Sequence, residues 1–363
     1  MTLFSDLRRL AAGAHVPAHV PAHVPARGPA HRSARVSALL SLLVAAALLV
    51  ACGGGTQQVK SFKPNRLIVF GDEGSIIEDA VDAGGVHDGF KYGINDRSAS
   101  TSNKCLAEPI FVQSIAALYG FAFEQCNPSA ITPKAFIRAQ RLALVDDATT
   151  GLAQQVASQP DLGPTDLVSV MIGSNDIIDI YERTLAGLGR TAALAEAQRR
   201  GGHVAEQVNA ILKTGARALV ITVPSLGISP YASNASKTQP GAATLLNDLT
   251  YEFNAYLRTR IDPSAYDGRN YGLVLADDIV AAMARRPASY LSAPAVTNVA
   301  ACGTPDDATP DAVASAVLAC STTNLVSGAV AASHLWASDR HLGPNAHSRI
   351  GSQANARAIN NPF

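Results

Sequence analysis

Apolar residues recur along this chain in two rhythms, short continuous runs and longer stretches spaced three or four apart. The runs at 66–70, 167–172, 218–223 and 271–276 predict buried strands, because each is brief, apolar and closed by a turn-forming or acidic residue. Helical spacing runs through Ile110, Ile115 and Leu118 in 108–119, across 193–213, and through Leu245, Leu249, Phe253 and Leu257 in 244–260. A short helix near 279–285 and a closing helix over 346–359 complete the series. Gly201-Gly202 is expected to interrupt the 193–213 helix. Strands alternating with helices predict an α/β domain: a three-layer sandwich with a central, mostly parallel sheet and its active residues at the carboxyl ends of strands. No break divides the stretch after the linker, so 65–363 is read as one domain.

The N-terminus reads as an address and not as part of the fold. Residues 36–51 are almost wholly apolar, preceded by arginines and followed by Cys52 and three glycines. That stretch is short beside the roughly 20 residues of a membrane span and suits a signal-peptide core. Leu49-Val50-Ala51-Cys52 resembles the lipobox of bacterial lipoproteins, in which the cysteine is lipidated before cleavage. The expected division is a lipoprotein signal over 1–51, a linker over 52–64 and then the domain. An ordinary secretory signal or an uncleaved anchor is the alternative. The partner implied is a membrane, reached through lipid on Cys52. Gly53, in place of the aspartate associated with inner-membrane retention, favours the outer membrane. The repeat from His15 to Ala26 reads as low-complexity sequence ahead of the signal.

Composition narrows the function classes. The chain has 363 residues, 47% hydrophobic and 16% charged, with zero formal net charge. Five of its 29 basic and one of its 29 acidic residues precede Cys52, leaving 24 against 28 in the body. A weakly acidic body with no basic run excludes a nucleic-acid partner. No nucleotide loop, metal cluster or cofactor motif is visible, so neither cofactor nor metal is expected. Beyond Cys52 four cysteines remain, Cys105, Cys126, Cys302 and Cys320, in two local pairs. An even count in an exported protein reads as two disulfides. Cys105–Cys126 and Cys302–Cys320 are expected, out of three possible connectivities.

Three blocks carry the chemistry: Gly71-Asp72-Glu73-Gly74-Ser75, Gly173-Ser174-Asn175-Asp176, and Trp336-Ala337-Ser338-Asp339-Arg340-His341-Leu342-Gly343-Pro344. Each alone has a plainer reading, as a turn, a structural histidine or a packed tryptophan. Jointly and in order they resemble the GDSL-type (SGNH) lipases and esterases over nearly the whole body. The resemblance implies that family's flavodoxin-like sandwich, a serine nucleophile in the first block and an oxyanion-binding asparagine at Asn175. It also implies His341 as base with an aspartate three residues before it. Residues 89–95 look like the family's second block, with Gly93 as backbone donor. A small ester, lipid or glycan is the implied ligand.

Two departures set this chain apart. Glu73 stands in the nucleophile slot. Ser338 stands three before His341, with Asp339 only two away, so Asp339 reaches the imidazole only if the loop shifts. A carboxylate at Glu73 would fill the oxyanion site and pair with Asn175 and a protonated His341. Three readings follow. In the first, the chain is a non-hydrolytic surface lipoprotein with a retained ligand cleft. In the second, it is an active esterase using Ser75 with His341 as base and Asn175 in the oxyanion hole. In the third, Glu73 itself serves as base or nucleophile. Asp72 and Glu73, adjacent on a strand, are expected to point apart and form no glycosidase pair.

Overall fold

The continuous apolar runs become strands covered on both faces, the requirement of a parallel sheet between helical layers. Leu67, Ile68, Val69 and Phe70 have no exposed surface and form the heart of β1 (Arg66–Gly71). The computed structural model describes residues 61–97, 104–265, 269–303 and 309–360. The signal segment, Cys52 and most of the 52–64 linker lie outside them. In chain order there follow a short antiparallel pair, β2 (Ile77–Glu78) and β3 (Phe90–Lys91), then β4 (Ala135–Ile137) and β5 (Asp166–Met171). Next come β6 (Arg217–Ile221) and β7 (Tyr271–Val274), and last the small pair β8 (Val296–Ala300) and β9 (His334–Trp336).

The main sheet has the order β4-β1-β5-β6-β7 with every pairing parallel. Ile68 is in register with Phe136 on one side and Val168 on the other. The chain runs outward from β1 to β4, then returns past β1 to β5, so connections from β1 and β5 leave in opposite directions. Right-handed crossovers then place helices on both faces. Ser174–Leu185, Arg190–Lys213 and Ala242–Arg260 pack together as one layer. Phe111–Leu118, Ala276–Arg285 and Pro344–Asn360 form the other. This is the α/β sandwich anticipated, in the flavodoxin-like strand order. Its crevice opens where β1 and β5 end, the switch point of a doubly wound sheet.

Three features depart from the pattern reading. Arg190–Lys213 is one unbroken helix. A Cβ on Gly201 would fall 2.1 Å from the Phe253 carbonyl oxygen, so this glycine brings two helix backbones into contact. Close packing outweighs its poor helix propensity. β4 follows Pro133 and has only three residues, too short a run to register as a strand. The Ser174–Leu185 helix starts inside the second block, where the turn residues mask its onset.

Cys105 is bonded to Cys126 and Cys302 to Cys320, with Cα separations of 5.7 and 5.9 Å. Both are local staples, the first in the β3-to-β4 connection and the second beside β9. Such bonds persist in oxidising compartments, which suggests a location outside the cytoplasm. Among the described residues no helix is long and apolar enough to cross a membrane.

Candidate active site

At the end of β1 the chain turns at Asp72 into a single 3-10 turn, Glu73–Ser75. The Gly74 N–H donates to Asp72 Oδ1 (3.1 Å) and holds the turn closed. Beside it β5 runs to Gly173, whose φ of +127° is a backbone that L side chains rarely adopt. A Cβ there would also lie 2.4 Å from the Phe253 ring. The chain then enters the Ser174–Leu185 helix, placing Asn175 in its first turn, toward β1.

Three donors converge on the Glu73 carboxylate, which is 3% exposed. Asn175 Nδ2 donates to Oε2 at 2.9 Å, and the Leu142 N–H donates to the same oxygen at 2.9 Å. His341 Nε2 lies 3.3 Å from Oε1. Burial alone would push the Glu73 carboxyl up. Hydrogen bonds donated by His341 and Asn175 oppose it, and the carboxyl is held below its ordinary range. Asp72 goes the other way. Burial first, then the neighbouring Glu73 charge, pushes it well above the usual carboxylate range. The two acids border one cavity, contrary to their expected divergence, because strand alternation ends at Gly71.

Leu142 was not legible as a site residue. It contributes only its backbone, in the left-handed region at φ 57°, which costs a non-glycine residue about 1–2 kcal/mol. The following loop is tied to the Ser174–Leu185 helix, since the Val145 N–H donates to both oxygens of Asp176 at 3.1 Å. Arg200 Nη1 donates to the same carboxylate at 2.9 Å and reaches Asp179 and Glu196 with its other nitrogens. Burial raises Asp176 to about 6 despite the Arg200 charge. Its place in the second block is therefore structural: it anchors the loop that delivers the Leu142 N–H.

The last block divides its residues differently from the shifted-loop expectation. Ser338 Oγ lies 2.7 Å from His341 Nδ1. Asp339 turns away and receives Arg340 Nε (2.9 Å) and Nη2 (3.0 Å) in a buried bidentate pair, with the guanidinium 4.8 Å from the centre of the Tyr231 ring. Adjacent residues in a tight turn face different ways, and the three-residue spacing alone brings a side chain back to the imidazole.

Two further sites read from sequence fall away from this constellation. Ser75 is fully buried, its Oγ has no hydrogen-bond partner, and it does not border the cavity. Two steps along a 3-10 turn swing it by roughly 240°, toward the core. The Gly93 N–H donates to the Lys91 carbonyl at 2.9 Å, a local turn that leaves Leu142 as the backbone donor on Glu73. His347, unsuspected from sequence, also borders the cavity. Burial lowers it to about 3, and it accepts the Phe111 N–H at Nδ1 (3.4 Å).

The cleft bordered by Asp72, Glu73, Asn175, Arg340, His341 and His347, among others, has about 30 Å³ of room. That space suits one or two waters. The imidazole, the asparagine amide and the backbone donor, which in an acyl-transfer site would serve a hydroxyl and an oxyanion, are here all engaged by one carboxylate.

No family model and no curated protein matches the chain. Among solved structures, one from Parabacteroides merdae, described as a "putative GDSL-like lipase", is similar over 71% of this chain and 96% of its own, with 14% identity and a TM-score of 0.29. The strand order and the site geometry stand independently of that likeness.

Proposed function

We propose that this chain is a non-hydrolytic, GDSL/SGNH-like lipoprotein of the bacterial cell envelope, anchored in the outer membrane through Cys52. One observation carries the proposal: the Glu73 carboxylate occupies His341 Nε2, Asn175 Nδ2 and the Leu142 N–H together. A serine hydrolase needs a nucleophilic hydroxyl on the imidazole nitrogen that faces the oxyanion donors, and those donors vacant where negative charge develops. Here Nε2 meets a carboxylate, the one hydroxyl on the ring is Ser338 at Nδ1, and the donors are taken. The Ser75 reading is disfavoured by that hydroxyl's burial in the core. The carboxylate reading is disfavoured because the donors around Glu73 hold its carboxyl below the ordinary range and so weaken it as a base or nucleophile. Glu73 borders the small cavity and holds its donors, so a small ester, lipid or glycan that used those donors would have to displace its carboxylate. The two disulfides agree with an envelope location.

The test is ester turnover by the full chain in detergent, using p-nitrophenyl acetate and butyrate, with fluorophosphonate labelling followed by mass spectrometry. Wild type and Ser75→Ala should both stay at the buffer rate, and no serine should carry an adduct. Loss of a true nucleophile costs on the order of 10⁶-fold. Brisk wild-type turnover that disappears in Ser75→Ala would overturn the proposal.

A further inference from the structure

The hydrogen bonds around Ser338 set the protonation pattern of His341. A serine hydroxyl has one proton to donate and two lone pairs to accept with. Both lone pairs of Ser338 Oγ are engaged, by the Arg340 N–H at 3.2 Å and the His341 N–H at 3.0 Å. The one remaining contact, at 2.7 Å, is to His341 Nδ1. A third N–H donor from Nδ1 would find no lone pair, so the hydroxyl proton points at Nδ1 and that nitrogen accepts. The imidazole proton then belongs on Nε2, where it meets the Glu73 carboxylate at 3.3 Å. Both contacts of the ring agree on this assignment.

We infer that Ser338 is a positioning residue that locks neutral His341 in the Nε2–H tautomer, the reverse of the form a catalytic base requires. In a serine hydrolase the acid sits on Nδ1, keeps the proton there and leaves the Nε2 lone pair free to take the proton of the nucleophile. Here the hydrogen-bond chain runs backwards, from Ser338 through His341 to Glu73. The replacements at 73 and 338 are thus two halves of one change. The inference rests on the non-hydrolytic reading and deepens it: a hydroxyl restored at 73 would face an N–H and not a lone pair. Its proton would have nowhere to go.

The tautomer can be read directly, whatever the activity. The full chain, labelled with ¹⁵N-histidine and held in detergent at pH 8, should show Nδ1 of His341 as an unprotonated acceptor and Nε2 as protonated. His341→Asn identifies the signals by their loss. Ser338→Thr should keep this pattern because the hydroxyl is retained, and Ser338→Ala should move population toward Nδ1–H. A proton on Nδ1 in wild type, or no change in Ser338→Ala, overturns the inference. In the ester assay Glu73→Ser alone should gain little. Glu73→Ser with Ser338→Asp should exceed it by on the order of 10⁴-fold, the scale of a wrong-tautomer penalty. Equal rates in the single and double variants also overturn it. Turnover by wild type would refute the non-hydrolytic reading and leave the nitrogen spectrum to decide the tautomer.

Discussion

Lys91 is fully buried, and its ammonium donates to the carbonyls of Cys105 (3.0 Å) and Ala107 (2.6 Å). Burial pushes this amine down to about 8, against the pull of Glu108, Asp88 and Asp96. In the unfolded chain it titrates near the ordinary value of about 10.4. Between those two values the unfolded chain binds one proton more than the folded chain, so stability rises with pH across that window. That difference of about 2.4 in pH corresponds to roughly 3.3 kcal/mol of penalty when the amine is charged in both states. From pH 7.5 to 9.5 about 1.8 kcal/mol of it should be recovered. Lys91→Met removes the titration and leaves the rest of the protein's pH dependence as background. Urea unfolding of both proteins at the two pH values, with disulfides intact, gives the comparison. Wild type should gain about 1.8 kcal/mol relative to Lys91→Met on going to pH 9.5. A wild-type minus variant difference that stays flat, or falls, refutes the assignment of a depressed, buried lysine.

Other perturbations test the remaining parts of the argument. Asp176→Ala leaves the nearly buried Arg200 short of a partner and frees the Val145 N–H, and should cost about 3–5 kcal/mol in denaturant unfolding. Gly201→Ala forces the Arg190–Lys213 and Ala242–Arg260 helices apart and should destabilise by about 1–3 kcal/mol. Its neighbour Gly202 has open space at the Cβ position, so Gly202→Ala should stabilise by up to about 1 kcal/mol. Thermal melts of the pair should move in opposite directions. For the anchor, processing should be globomycin-sensitive and yield a diacyl-bearing peptide that begins at Cys52; a different mature N-terminus contradicts it.

The fold was legible because a parallel sheet needs strands apolar on both faces, and four such runs stand out between helical stretches. β4 was not, because an edge strand of three residues carries no period. Gly201-Gly202 misled because local propensity says break, while the helix it faces rewards the missing side chain with close contact. At the site, Glu73, Asn175 and His341 could be paired in advance from block order. Leu142 could not, since its contribution is an N–H that every residue type but proline possesses. Gly93 drew attention by being glycine, yet its N–H is spent two residues back.

The alternation of strands and helices, the even number of cysteines beyond Cys52 and a carboxylate where a hydroxyl would be expected can all be read along the chain. Those follow from residue type and spacing along the chain. What that carboxylate does depends on contacts made across the fold. Crossovers from β4 and β5 bring Leu142 and Asn175 to one oxygen of Glu73, and the 338–341 turn gives Ser338 to the imidazole and Asp339 to Arg340. Hydrogen bonds are directional over a few tenths of an ångström. Which of two neighbouring side chains meets a given nitrogen is therefore settled by the path of the backbone in space.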